Sequence, residues 1–369
     1  MSLPKRFCCL IFSLLMSDLL IFPVRQGMAQ VSHAALHAEL LAHQSAYNGH
    51  AYVLLEQRDR IIYEDSLGGY NRQTVVPVAS VSKWLSTALI MTFVDEGKIN
   101  LDDPVGKYLP EFRTGPKSQI TIRDCLRHTT GYFSTSAFRA IHRRTLTLQA
   151  CVAKIARELP LSAAPGKVFF YGPVGLQIAA RVVEVVSGKS FVQNFAERIA
   201  GPCAMEHTSF FRPANPEVAG GAYSCADDLM HFLEMIAHQG LYHGHRVLSE
   251  QALQEMQRNQ TNGIVIRYSP AMEAIHQQWP YGLGEWIEAE DEHHHSTSVS
   301  SPGRYGSYPF YDLSHQLIGI VLVKVNNFEK AMQADWAFRQ AIEQQITQHV
   351  ALNRPSAPFA FYLCACVRP

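Results

Sequence analysis

The spacing of apolar residues changes several times along the chain, and each change marks an element. Residues 32–46, SHAALHAELLAHQSA, carry Ala35, Leu36, Leu40 and Leu41 at helical spacing. Two strand-like runs, AYVLLEQ and RIIYEDS, flank Arg58 and Asp59, so the spacing predicts a helix leading into a hairpin. A period of roughly 3.6 residues returns from Val81 through Trp84, Leu85, Ala88, Leu89 and Phe93, with Gly97 as its stop. From there to about residue 260 the segments are mostly helical, separated by turns rich in Pro and Gly. In PGKVFFYGPVGLQIAARVVEVVSGKS, Pro173 suits a first helical position and Gly188 a C-terminal cap. After residue 280 the runs YGLGEWIE, SYPFYDLS and LIGIVLVKV are short and aromatic or β-branched, as in an antiparallel sheet, and a long amphipathic helix, FEKAMQADWAFRQAIEQQITQHVAL, follows them.

This order predicts an α/β (α+β) fold: an antiparallel sheet built from both ends of the chain, about residues 30–75 and 280–350, flanked by N- and C-terminal helices. An all-helical domain, about residues 80–260, is expected as an insertion between the two halves, with a cleft where they meet. No internal repeat is present. The tail, residues 351–369, is apolar and unpatterned from Pro355 onward.

Composition narrows the function. The 369 residues are 47% hydrophobic and 17% charged, a globular balance with ample material for a core. Thirty-two Lys and Arg offset thirty-two Asp and Glu, so no net field draws the chain to nucleic acid or to an anionic membrane. Residues 1–29 read as a secretory signal, with a basic start at Lys5 and Arg6, an apolar stretch from Phe7 to Phe22 and small residues at Gly27 and Ala29. Asp18 weakens that stretch, and an uncleaved segment would be an anchor. A periplasmic or secreted location follows, with no other membrane span and with oligomeric state left open. Cys8 and Cys9 would leave with the signal. Cys125, Cys151, Cys203, Cys225, Cys364 and Cys366 could pair in an exported chain or serve as small buried residues, and their spacing matches no zinc site.

One pair carries candidate chemistry. Ser80 and Lys83, in VASVSKWLSTALIM, lie three apart at the start of an apolar helix and so share a face. A serine hydroxyl needs a base within reach and a site for the oxyanion; a lysine whose pKa is lowered by burial or nearby positive charge can be that base, and the helix N-terminus favours negative charge. The same spacing also fits Ser80 as a plain N-cap with Lys83 in solvent. His293, His294 and His295 are expected in a solvated loop rather than on a metal, and Asp102 and Asp103 in a turn before Pro104.

Beyond this pair, ASVSKW is followed in order by DEGKINLDDPVGKYLPEF, ITIRDCLRHTTGYF, PGKVFFYGPVGLQIAARVVEVVSGKSF, IAGPCAMEHTSF, AGGAYSCADDLMHFL and HRVLSEQ. That series resembles the serine β-lactamase and penicillin-binding-protein superfamily over residues 32 to 350, closest to the class C β-lactamase-like branch, which includes esterases and D-amino-acid-specific peptidases. The resemblance implies that Ser80 is the acylated serine and Lys83 its neighbouring base. Tyr171, in FFYGP, matches the tyrosine of the family's Tyr-x-Asn run, and a phenolate sharing a proton with Lys83 is expected there. His128, in RHTTGY, matches a run that builds the helical domain. The third family segment matches SVSSPGRYGSYPFYD, with Ser301, Pro302 and Gly303 where other members carry Lys-Thr-Gly or His-x-Gly. Ser301, Gly303 and Arg304 are therefore expected beside the substrate, and the backbone amides of Ser80 and Arg304 form the oxyanion hole.

Two positions depart from the pattern. Pro173 stands where the family has Asn, and Ser301 stands where a cationic side chain helps bind a substrate carboxylate. Ester or amide cleavage needs no such clamp. The expectation is a cofactor-free serine hydrolase acting on small esters, or on amides of D-amino acids or peptidoglycan-like peptides. A true β-lactamase or DD-peptidase, and a homologue that binds cell-wall fragments without turnover, are the alternatives.

Overall fold

The computed structural model describes residues 31–133, 141–142 and 145–352. The expected signal, the tail beyond Leu352, and with them Cys8, Cys9, Cys364 and Cys366, lie outside the described residues. Helix α1 (His33–Ala42) starts at Ser32, whose hydroxyl accepts the Ala35 N–H. It leads into the hairpin of β1 (Ala51–Gln57) and β2 (Arg60–Leu67). Arg58 and Asp59 both take left-handed backbone, φ 52° and 63°, the geometry that a two-residue turn needs to match the twist of its strands.

The inserted part runs through β3 (Val76–Pro77), α2 (Val81–Asp95), α3 (Ile122–Leu126), α4 (Leu148–Glu158), β4 (Val168–Phe170), α5 (Val174–Ser187), α6 (Phe191–Phe195), β5 (Ser209–Phe210) and β6 (Ala222–Ser224). It continues through α7 (Ala226–Ala237), β7 (Leu241–Tyr242), β8 (His245–Arg246), α8 (Glu250–Gln257), β9 (Val265–Tyr268) and α9 (Pro270–Ile275). The chain then forms β10 (Trp286–Glu290), β11 (Ser296–Ser300), β12 (Tyr308–Asp312), β13 (Leu317–Leu322) and α10 (Phe328–Leu352).

The main sheet has six antiparallel strands in the order β10-β11-β12-β13-β1-β2, so the two ends of the chain meet where β13 pairs with β1. Strands β12 and β13 are buried along their whole length, because α1 and α10 cover one face of the sheet and α7 the other. Edge strand β2 alternates between buried and exposed positions instead.

Two sequence expectations are corrected, and one strand lacks the apolar pattern of its neighbours. The inserted part is not all-helical: β3-β6-β5 form a small sheet, β4 pairs in parallel with β9, and β7 with β8 make a hairpin. Strand β11, STSVS, has few apolar residues to announce it, because its buried positions include Ser298 and Ser300; the Ser298 hydroxyl is satisfied by Glu288 at 2.9 Å. Pro173 is the N-cap of α5 rather than its first residue, while Gly188 closes that helix at φ 71° as expected. His293 to His295 occupy the tip of the β10–β11 hairpin, where the Asp291 carboxylate accepts the N–H groups of His293 and His295. Cys125, Cys151, Cys203 and Cys225 are buried and unpaired.

Candidate active site

Helix α2 is buried on every side from Val81 to Phe93, and Ser82 and Ser86 satisfy their hydroxyls on backbone. The Ser82 hydroxyl donates to Ala79 O at 2.5 Å and accepts the Ala222 N–H at 2.9 Å, and Ser86 donates to Val218 O at 2.6 Å. These bonds fasten segment 218–222 along the helix and bring Ala219 O within 2.8 Å of Lys83 Nζ. The second partner of that nitrogen is Ser80 Oγ at 3.0 Å. Burial lowers the Lys83 pKa from 10.5 to about 7, with no neighbouring cation involved. Ser80 sits at the N-cap of α2 but makes no side-chain capping bond, so its hydroxyl belongs to Lys83 and the plain-cap reading fails. Ala79, just before it, is held at φ 46°, a costly backbone for a residue with a Cβ.

Tyr171 approaches from the opposite side. It follows β4, whose parallel pairing with β9 continues in a bond from Tyr171 N–H to Tyr268 O at 3.3 Å, while the Phe170 N–H donates to His128 O at 2.9 Å. The Tyr171 ring is boxed by His128 at 4.7 Å, Trp286 at 5.2 Å and Tyr281 at 6.0 Å between centroids. Lys83 Nζ stands 4.5 Å from its centroid, and Ser80 and Trp286 are the polar neighbours of its phenol. Burial pushes that phenol well above its ordinary pKa. The expected phenolate is thereby corrected: the phenol stays protonated, and above about pH 7 it faces a neutral Lys83 amine.

His128 also does more than build the helical domain. It is buried at φ 61°, lies 3.2 Å from the Tyr281 hydroxyl through Nε2, and is held neutral by burial and by Lys83.

The third segment reaches the site through its backbone. Gly303 packs so close to the chain before Ser80 that a Cβ there would meet Val78 O at 2.2 Å, and its N–H donates to Ser307 O at 2.8 Å. The expectation of a Ser301 hydroxyl facing substrate is corrected: Ser301 is buried, and its hydroxyl lies 3.3 Å from both Ser80 O and Gly284 O, tying the segment to the nucleophile loop. Gly303 likewise touches protein rather than the cleft. Among the described residues, the backbone N–H groups of Ser80 and Arg304 have no protein acceptor, as two donors reserved for an oxyanion must not.

These parts face a cleft of about 950 Å³ whose lining includes Ser80, Lys83, Tyr171, Trp286, Pro302 and Arg304. Arg304 is exposed, as are Glu273 and Glu329 on the same cleft, whereas Glu217 is paired with Arg212 at 3.0 Å and His142 at 3.2 Å. Sequence reasoning missed Trp286, Tyr281 and Ala219. The Tyr281 phenol and the Trp286 indole flank the close-packed Gly282 and Gly284 in YGLGEW, and that spacing was the available signal; a contact made by the carbonyl of Ala219 has none. Among the described residues, one His, Cys and Asp group is close enough to share a cation, His207, Cys225 and Asp228, and it lies outside the cleft at the start of α7. There the Asp228 carboxylate already accepts the Thr208 hydroxyl and the His207 N–H.

Comparison with known proteins agrees with this fold. The family profile Beta-lactamase matches residues 38–344. A protein of Bacteroides dorei DSM 17855, solved as a candidate β-lactamase, superposes with a TM-score of 0.76 at 28% identity, covering 85% of this chain and 98% of that one. The hydrolase EstCE1, which has promiscuous acyltransferase activity, superposes at 0.69 with 20% identity over 84% of this chain and 99% of its own, a likeness of fold. The D-alanyl-D-alanine-carboxypeptidase/endopeptidase AmpH of Escherichia coli (strain K12) is 24% identical over 56% of this chain and 62% of its own length. The teichoic acid D-alanine hydrolase of Staphylococcus aureus is 28% identical over 37% of this chain and 33% of its own. With the profile spanning most of its length, the chain belongs to the Beta-lactamase family and is a serine hydrolase of the β-lactamase-related type.

Proposed function

We propose that the protein is an exported serine hydrolase that forms an acyl-enzyme at Ser80 and acts on esters, or on amides of D-amino acids or peptidoglycan-like peptides. The observation that carries the reading is Lys83 Nζ, 3.0 Å from Ser80 Oγ and desolvated enough to be neutral above about pH 7. Neutral Lys83 takes the Ser80 proton as the oxygen attacks the carbonyl carbon, and the Ser80 and Arg304 N–H groups receive the oxyanion. When the tetrahedral intermediate collapses, the bond to the leaving alcohol or amine breaks. The protonated Tyr171 phenol delivers a proton to it and is restored from the lysinium. Water then attacks the acyl carbon, Lys83 again acting as base, and the acid departs from a regenerated serine. The scheme needs no metal or organic cofactor.

Pro173 and Ser301 favour this substrate class, since neither offers the cleft a side-chain amide or cation. The relatives include a D-alanine hydrolase and a carboxypeptidase, and the basic start and apolar stretch of residues 1–29 support export. A second reading, DD-peptidase or β-lactamase, draws on the Arg304 guanidinium at the cleft. Treating the protein with a fluorophosphonate and a fluorescent penicillin side by side, with the labelled peptide identified by mass spectrometry, separates the two. Fluorophosphonate labelling at Ser80, absent from Ser80→Ala, with slow or no penicillin labelling, is expected. Rapid turnover of β-lactams would establish the second reading, and an undiminished ester hydrolysis in Ser80→Ala would remove both.

A further inference from the structure

The cleft has an aromatic wall that the acyl-transfer scheme does not use. Phe133 is 53% exposed, yet its ring stacks on Phe170 at 4.8 Å and 18° and stands 6.0 Å from Tyr268. Phe133 and Tyr268 both line the cleft, and Phe170 directly precedes Tyr171. The wall thus runs from solvent at Phe133 inward to the ring that faces Ser80.

The backbone beneath it is firmly held. Ser162 donates from its N–H to Gly131 O at 2.8 Å and from its hydroxyl to Phe133 O at 3.1 Å, and a Cβ at Gly131 would meet Ala163 O at 2.2 Å. Phe133 is therefore presented by a clamped loop, at the cost of leaving a large apolar ring in water. A fixed, flat ring surface at the edge of a mostly apolar cleft is complementary to another flat apolar ring.

From this we infer that the cleft selects substrates bearing an aryl group, which lies against the Phe133 and Tyr268 rings while the adjoining ester or amide carbonyl meets Ser80. The inference rests on the acyl-enzyme reading for its chemistry but not for its binding step.

The test uses three matched esters carrying a phenyl, a cyclohexyl or a methyl group at the same position. Wild-type protein is expected to prefer phenyl over cyclohexyl in kcat/KM. Phe133→Ala should lower kcat/KM for the phenyl ester roughly tenfold, through KM, while the methyl ester changes less than about twofold. Phe133→Leu keeps apolar bulk without a ring and should lose the phenyl-over-cyclohexyl preference; Phe133→Trp should keep it. Equal losses on all three esters, or none on any, would overturn the inference. Fluorophosphonate labelling of Ser80 in each variant reports whether the catalytic centre is intact. If the wild type hydrolyses none of the esters, dissociation constants for the same three compounds on Ser80→Ala, with and without Phe133→Ala, decide the aryl site separately. A Kd for the phenyl compound no tighter than for the cyclohexyl one would sink it.

Discussion

The floor and the rim of the cleft are built by different rules. On the floor, Lys83 Nζ has two oxygen partners, the Tyr171 ring has three aromatic neighbours, and Ser82, Ser86 and Ser301 use their hydroxyls to fix backbone rather than to meet substrate. At the rim, Phe133, Glu273, Arg304 and Glu329 are exposed. The floor determines a reaction, because its groups are held in place by packing and hydrogen bonds and burial sets the pH at which Lys83 can act as a base. The rim determines which molecule arrives. The departures at Pro173 and Ser301 alter side chains while leaving the backbone donors of Ser80 and Arg304 in place.

The harshest way to break this division is to make the base permanently charged. Lys83→Arg keeps the length and charge of the side chain but cannot give up its proton near neutrality, so hydrolysis should fall by at least about a thousandfold. The wild-type pH profile is the companion measurement. Because burial lowers the Lys83 pKa, the active neutral form is lost as pH falls through about 7 and is fully present above about 8, so kcat/KM should rise with pH and reach a plateau. A flat profile from pH 5.5 to 9 would show that some other group accepts the proton. The same shift makes folding stability rise with pH between about 7 and 10.5, where the unfolded chain still holds the lysine proton and the folded one does not.

A smaller but still large loss is expected where floor and rim join. Gly303→Val would drive a Cβ into Val78 O, which lies 2.2 Å from the ideal Cβ position, and the 303–304 backbone must back away from the Ser80 loop. Losing one oxyanion donor costs roughly a hundredfold to a thousandfold in kcat, and overpacking costs about 1–3 kcal/mol of stability. Steady-state kinetics together with thermal melting of Gly303→Ala and Gly303→Val check this. Wild-type kcat in the valine variant would mean that the close approach is irrelevant to catalysis.

Much of this was legible before the structure. The β1–β2 hairpin, the strands β10, β12 and β13 and the α2 start with Ser80 and Lys83 were visible because apolar periodicity and ordered motifs carry them. The strand β11 was hidden because a strand that buries serines gives no apolar signal, and the short ladders of the inserted part are too brief to show a period of two. The site was half legible. Side chains that act by type, a serine, a lysine and a tyrosine, could be named, but Ala219 acts through a carbonyl and Trp286 through its packing against Tyr171. The protonation states of Lys83 and Tyr171 depend on burial, which no spacing reports.

The mildest test concerns Arg304, whose two groups belong to the two regions. Its N–H is part of the floor and survives any substitution except proline, whereas its guanidinium is exposed at the rim. An exposed ion pair contributes only about 0.2–1 kcal/mol, so Arg304→Ala should raise KM by up to about fivefold for a substrate carrying a carboxylate and leave KM for a neutral ester unchanged. In both cases kcat should stay within about twofold. Salt screens exposed charges within about 3 Å at 1 M, so high ionic strength should erase the wild-type advantage on the anionic substrate without changing the neutral one. A fall in kcat shared equally by both substrates would mean that the side chain holds the oxyanion donor in position, and the line between floor and rim would then run through this residue's side chain rather than between its side chain and its backbone.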